Sequence, residues 1–351
     1  MAISNDVIND ITHALSAENT DASANISISN IDVIQSLWGG YGELFRAKIS
    51  GSQYTSVIVK HIKLPQPECH PKGWNTALSH QRKLKSYQVE ANWYQHYAKL
   101  CSHQSTVPQC IFIEQNELET LLILEDLHTL GFDQTLTQAD DSAILSCLKW
   151  LGYFHGQFME KLVDSIKDST IKPPKVNITG LWPTGTYWHL ATRPDELAAL
   201  TDLRLKSAAE AIDRALQQTP YQTLVHGDAK LANFCFNAAH DKAAAVDFQY
   251  VGQGCGMKDV ILLLSSTLKF DESPALIEHY LDYYFQELTK SLAAHNSDID
   301  AADVEQTWRP LYCIAWADFQ RFIKGWSPQH VKINAYTEML TAQAIKQIEA
   351  S

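Results

Sequence analysis

Apolar and polar positions alternate with a period of two through much of the first third of the chain and with a helical period through most of the rest. Residues 31–37, 44–49, 56–62, 110–114 and 121–124 read as short strands. Together they make a five-stranded antiparallel sheet, preceded by a short amphipathic stretch over 7–15. One helix interrupts it, because Leu84, Tyr87, Ala91, Tyr94 and Ala98 recur on a single face between residues 80 and 100. From residue 127 the pattern is helical. Ile144, Leu148, Leu151, His155 and Phe158 share one face, Leu197, Leu200, Ala208, Ile212 and Leu216 mark another, and helices are expected over 260–268, 275–288, 304–321 and 334–348. Strands return only at 224–225 and in a hairpin of residues 234–236 and 243–246. The expected fold class is α+β, with a small antiparallel-sheet lobe over residues 1–126 and a larger, mostly helical lobe over 127–351.

Composition narrows the function classes. A chain of 351 residues with 45% hydrophobic content is globular and long enough for two lobes. Its formal net charge of -12 argues against nucleic acid or an anionic membrane as the main partner, since each requires a basic footprint. Seven cysteines, with no C-x-x-C pair and an odd total, suit free thiols in a reducing compartment, hence a cytoplasmic address. The most apolar run, from Val260 to Leu268, is about half the length of a membrane helix, and no signal-peptide pattern opens the chain. Residues 16–30, rich in Ser, Asn and Asp, read as a loosely held lead-in. Residues 65–80 read as an inserted loop, in which Cys69, His70 and His80 have no zinc-like spacing.

The chemistry concentrates between Leu224 and Phe248. A short strand ends at Val225, His226-Gly227-Asp228 turns into a loop, and the hairpin carries Asp247 back beside Asn233. That set suits phosphoryl transfer from a nucleotide. Asp247 and Asn233 supply hard oxygens for a divalent metal, and Asp228 supplies a carboxylate to orient an acceptor hydroxyl. The plainer alternative is a buried hairpin with solvated turn carboxylates. The pattern H-G-D-x-K-x-x-N followed by D-F resembles the catalytic and metal-binding segments of the protein-kinase-like superfamily. Gly227 in place of Arg and Gln249 in place of Gly look like its aminoglycoside phosphotransferase and choline kinase branch. The V-D-F-Q form is most similar to the ecdysteroid-kinase-like members.

The resemblance implies a two-lobed kinase fold, a nucleotide-binding N-terminal lobe, an active site between the lobes, and ATP with Mg2+ as cofactors. It assigns Lys60 to the nucleotide phosphates and Glu90 to its support. The helix pattern agrees, because Glu90 falls on the packed face and needs a cationic partner there. Gly39, Gly40 and Gly42, between two strands, resemble a glycine-rich phosphate lid, although most such clusters are plain turns. Glu125 and Leu127 stand where a hinge offers main-chain groups to adenine. Lys230 is compatible with steadying the transferred phosphate, His226 braces its loop, and Asp259 holds the catalytic loop. His155 reads as a packed, hydrogen-bonded histidine outside the site.

Trp316, Asp318, Phe319 and Trp326 fall in the region that resembles the family's acceptor-binding part, with Trp182, Tyr187 and Trp188 as possible additions. Aromatic faces beside a carboxylate would hold an amine, whereas at helical spacing the same residues could be core. The reaction expected is transfer to the hydroxyl of a small molecule, with no obligate protein partner. The stretch from Asp247 to Asp259 is short for a protein kinase's activation segment. A nucleotide-binding pseudokinase or scaffold is the alternative, against which the intact Asp228, Asn233 and Asp247 argue. A metal phosphoesterase lacks its paired histidine and carboxylate motifs.

Overall fold

The computed structural model describes residues 3–17, 25–37, 40–63, 77–116, 118–161, 178–268 and 274–350. Gly39, Cys69, most of the inserted loop at 65–80 and part of the 16–30 lead-in lie outside the described residues. The chain divides into two compact units, one of residues 1–100 and 107–133, the other of residues 101–106 and 134–351.

In the first unit, helix α1 (Asn5–Ala17) precedes strands β1 (Ser27–Ser36), β2 (Gly42–Ser50) and β3 (Ser56–Lys63). Helix α2 (Ala77–Asn92) then leads to β4 (Cys110–Gln115) and β5 (Glu119–Glu125). The five strands form the expected antiparallel sheet, in the order β1-β2-β3-β5-β4. The predicted helix over 80–100 is present, but its last part tightens and widens: α2 gives way to a π-turn at Trp93–Tyr97 and a 3-10 turn at Ala98–Leu100.

Strand alternation decides which side chains meet. Phe45, Ala47, Ile49, Val57 and Val59 point to one face, where Val7, Ile11, Ala14 and Leu15 of α1 cover them. Leu37, Tyr41 and Ile62 point to the other face and pack with Tyr87 of α2. Lys60 lies two residues before Ile62, and Glu90 three after Tyr87. The two periods therefore aim lysine and glutamate at each other.

At the end of β5, Asp126 is buried. Its carboxylate binds Arg46 Nε at 2.7 Å and Ser56 Oγ at 2.6 Å, and it caps the following 3-10 turn through His128 N–H. Burial pushes the Asp126 carboxyl up, but these bonds outweigh it and hold the pKa below the usual range.

In the second unit, α3 (Asp141–Gln157) packs against α7 (Pro274–His295). Between them in sequence come β6 (Glu160–Lys161), α4 (Pro194–Ala199), α5 (Leu203–Gln217) and β7 (Tyr221–Val225). The hairpin β8 (Phe234–Phe236) and β9 (Ala243–Ala245) follows, then β10 (Gly252–Gly254) and α6 (Met257–Thr267). The chain continues with α8 (Ala301–Trp308), α9 (Leu311–Trp326) and α10 (Ala335–Ala350). β7 is central in a three-stranded sheet, between β10 and β6.

The apolar run from Val260 forms α6, whose residues from Met257 to Ser265 are all buried. No helix among the described residues is long and apolar enough to cross a membrane. The single helix expected over 304–321 is two, α8 and α9. Arg309 and Pro310 keep helical dihedrals, but proline has no N–H to continue the ladder, and α9 starts afresh after it.

Candidate active site

β7 is buried along its whole length and delivers the chain to His226-Gly227-Asp228. Gly227 takes φ 80°, and a Cβ there would fall 2.1 Å from the Tyr250 carbonyl oxygen and 2.8 Å from Thr186 N. Neither arginine nor any other side chain fits this backbone, which accounts for the glycine.

The loop is held from beneath. Asp259 accepts the main-chain N–H of His226 at 2.6 Å and of Gly227 at 2.9 Å, one on each oxygen. His226 Nε2 donates to the Val246 carbonyl at 3.0 Å, leaving Nδ1 to accept Asp228 N–H at 3.2 Å. One imidazole thus ties the Asp228 turn to the segment that carries Asp247. Phe248 packs on that imidazole with centroids 4.5 Å apart, and Trp150 closes the cluster against Phe234.

Asp228 is 5% exposed. Its Oδ2 accepts Lys230 Nζ at 2.8 Å and Asn233 Nδ2 at 3.0 Å, while Oδ1 is buried with no hydrogen-bond partner among the described residues. Burial raises the carboxyl's pKa, Lys230 pulls it back, and Asp247 adds to the rise. Asn233 Nδ2 also donates to the Asp228 carbonyl at 2.8 Å. With its amide nitrogen so fixed, the Asn233 Oδ1 makes no hydrogen bond among the described residues and can act as a ligand oxygen. Asp247 is partly exposed, takes φ 68°, and accepts Gln249 Nε2 at 2.7 Å on Oδ1. The Gln249 departure therefore has a local use, since its amide orients the carboxylate two residues before it.

In the first unit, Lys60 Nζ bridges both oxygens of Glu90, at 2.8 and 2.7 Å, with both side chains buried. Gly42 takes φ 129° where a Cβ would meet the His61 carbonyl oxygen at 2.0 Å. Gly40 donates its N–H to Leu37, closing the loop between β1 and β2. Glu125 N–H is engaged by the Gln109 carbonyl at 2.9 Å. Leu127 opens a 3-10 turn, whose first N–H has no acceptor within the turn.

The acceptor residues separate into two groups. Asp318 is fully buried and its charge is already met: Arg321 Nη2 binds Oδ1 at 2.8 Å, and Trp188 Nε1 donates to Oδ2 at 3.0 Å. Trp316 is wholly buried as well. These two are core, contrary to the expected amine trap, because α9 is surrounded by α4, α5, α6 and α10. Phe319 and Phe322 are buried too and stack in a row with Trp326 along α9, with centroids 6.4 and 5.9 Å apart; of the three only Trp326, at 47%, is exposed. Tyr187 meets Phe319 and Phe322 edge-on, donates its N–H to the Gly227 carbonyl at 3.3 Å, and has its phenol's pKa pushed up by burial and then by the Asp228 charge.

Two neighbours of the catalytic loop were missed in the sequence. His155 Nε2 donates to Asp259 at 3.1 Å while Nδ1 accepts the Tyr284 hydroxyl at 2.8 Å, so the packed histidine buttresses the catalytic loop's anchor. Lys332 is the other: its ammonium donates to Ser265 Oγ at 2.9 Å, next to the Ser266 that accepts Leu231 N–H, and no periodicity or motif marks it.

Residues 78–295 match the family described as phosphotransferase enzyme family. No match was found among curated proteins. Among solved structures, the chain is similar to a choline kinase from Cryptosporidium parvum Iowa II at 10% identity and TM-score 0.51, covering 98% of this chain and 94% of that one. It is also similar to an ethanolamine kinase from Plasmodium vivax, at 11% identity and TM-score 0.45 over 92% and 84% of the two chains. A third is an aminoglycoside phosphotransferase from Streptomyces rimosus in complex with ADP and streptomycin, at 12% identity and TM-score 0.43 over 87% and 98%. The first of these likenesses gives the fold, a protein-kinase-like α+β arrangement of an antiparallel sheet and a mostly helical region.

Proposed function

The chain belongs to the phosphotransferase enzyme family, and on that premise we propose that it transfers the γ-phosphoryl group of ATP, with magnesium, to a hydroxyl of a small molecule. The observation that carries this reading is the division of labour within Asp228. One oxygen is pinned by Lys230 and Asn233, and the other is buried and unpartnered, a ready acceptor for a hydroxyl proton.

Magnesium suits the residues present. Among the described residues no group of three or more His, Cys, Asp or Glu is placed to hold a metal. A pair of hard oxygens, from Asp247 and Asn233, is what this ion takes when phosphates and water complete its shell. Bound there, it would offset the negative charge of the phosphates. Lys230, bonded to Asp228 and pushed above its usual pKa chiefly by that carboxylate against the opposing effect of burial, keeps its charge and can steady the transferred group. His226 and Asp259 hold the loop and touch no substrate.

In the first unit Lys60, aimed by Glu90, is assigned to the nucleotide phosphates, together with the glycine loop that ends at Gly42. Leu127 N–H is the better adenine donor of the two hinge candidates, because the Glu125 N–H is engaged. Trp326, the exposed one of the four expected residues, remains for the acceptor's apolar part. The narrower likeness to ecdysteroid kinases rests on Val246 to Gln249 alone.

The direct test is ADP release from MgATP across a panel of hydroxylated metabolites, including choline, ethanolamine, sugars, aminoglycosides and sterols. No acceptor-dependent release, from a protein that binds MgATP, would leave a scaffold in its place. Lys60→Met is expected to raise the KM for MgATP by about tenfold or more. It should also lower unfolding stability by about 3 kcal/mol, because it removes the ammonium that meets both oxygens of the buried Glu90 carboxylate. Steady-state kinetics and chemical denaturation read the two effects separately.

A further inference from the structure

Residues 327–334, SPQHVKIN, join α9 to α10. The structure turns Lys332 of this segment inward. Its ammonium donates to Ser265 Oγ at 2.9 Å, lies 5.3 Å from the centre of the Phe319 ring, and is only partly exposed. Among the described residues it forms no ion pair with a carboxylate. The next residue of α6, Ser266, accepts Leu231 N–H of the catalytic loop at 2.9 Å, so one turn of α6 fixes both Lys332 and that loop. Two charges act on Lys332 from the loop: Asp228 favours the ammonium and Lys230 opposes it. Burial, the largest influence, brings its pKa down to about 8.

A cation withdrawn from water is unfavourable without a counter-charge. The ring face and the C-terminal turn of α6 help, but neither is an anion. Asp228 favours the ammonium through its charge, but it makes its ion pair with Lys230 and none with Lys332. The contrast with Asp318 is direct: the carboxylate expected to face the acceptor is neutralised inside the unit, and the charge left unbalanced is positive.

We propose that Lys332 is a specificity-determining residue that binds an anionic group of the acceptor, a carboxylate or phosphate ester, while Asp228 orients the hydroxyl of the same molecule. This rests on the phosphotransferase reading above. In the transfer the acceptor oxygen forms a bond to the γ-phosphorus, and the bond from that phosphorus to the β,γ-bridging oxygen breaks. ADP keeps the electron pair, and the hydroxyl proton passes to Asp228. Lys332 exchanges no atoms.

The test uses the full chain, MgATP and matched acceptors: glycerate and glycerol 3-phosphate against glycerol, and homoserine against 3-aminopropan-1-ol. The anionic members should have the higher kcat/KM, by roughly tenfold or more, the usual worth of a charge-assisted hydrogen bond. Lys332→Met should collapse that ratio through KM, and Lys332→Arg should largely keep it. In the parent, the KM for an anionic acceptor should rise as pH passes through about 8 and the ammonium is lost. His330, whose Nδ1 accepts Lys332 N–H and whose pKa is lowered by burial and by Lys332, is neutral through that range. Unfolding midpoints establish that the variants are folded.

Turnover of neutral or cationic compounds only would overturn this inference and leave the kinase reading standing. So would an equal fall in kcat for every acceptor in Lys332→Met with KM unchanged, which would assign the lysine to the transferred phosphate. If no compound is phosphorylated, the kinase reading fails, and calorimetry on the MgADP complex still decides the inference. Glycerol 3-phosphate must bind more tightly than glycerol in the parent and lose that advantage in Lys332→Met; equal binding overturns it.

Discussion

Asp228→Asn is expected to lower turnover by about 10²- to 10⁴-fold, the range for loss of a general base, while MgATP binding stays nearly unchanged. The geometry makes this a clean substitution. The asparagine carbonyl can take the place of Oδ2, accepting from Lys230 Nζ and Asn233 Nδ2 as the carboxylate does. Its amide nitrogen then occupies the position of Oδ1, which has no partner among the described residues. The loop keeps its bonds, and only the atom that would receive a hydroxyl proton changes from acceptor to donor. An acceptor-dependent rate above roughly a tenth of the parent would remove Asp228 from the role.

The sheet was legible because a period of two is short enough to survive within six or seven residues, and all five expected strands are present, although β1 starts at Ser27, inside the stretch read as a loose lead-in. Glu90 was legible because the helical period put it on the packed face, where it needs a cation, and the family resemblance pointed to Lys60 as that cation. The helical region was harder. Pro310 marked a break that a smooth apolar pattern across 304–321 concealed. Asp318 shows the deeper difficulty: on a helix buried all round, periodicity names no outward face, so a carboxylate among rings reads as a binding site. One local signal was available in Arg321, three residues on, the spacing at which ion pairs form on a helix. The other partner, Trp188, comes from a segment 130 residues away in sequence, which no local pattern encodes. Lys332 was illegible altogether, because a lysine in a polar turn is ordinarily solvated and only the tertiary fold brings it over Phe319 and Ser265.

Asp247→Ala is expected to abolish the rise in melting temperature that MgATP gives the parent, while metal-free nucleotide still binds weakly. A ligand at about a hundred times its dissociation constant stabilises the folded state by roughly 2.7 kcal/mol, so the parent's shift is readily measured. The backbone must be separated from the ligand. Asp247 sits at φ 68°, and alanine there carries a strain of about 1–2 kcal/mol that lowers the baseline by itself. Asparagine tolerates this conformation, can still accept from Gln249, and lacks only the charge. Asp247→Asn should therefore melt close to the parent without ligand and yet lose most of the magnesium-dependent part of the shift. Titration of MgCl2 at fixed ATP, followed by melting temperature in all three proteins, isolates that part. An undiminished magnesium-dependent shift in both variants would mean that the metal is held by other groups, and Asn233 would then lose its partner in the assignment.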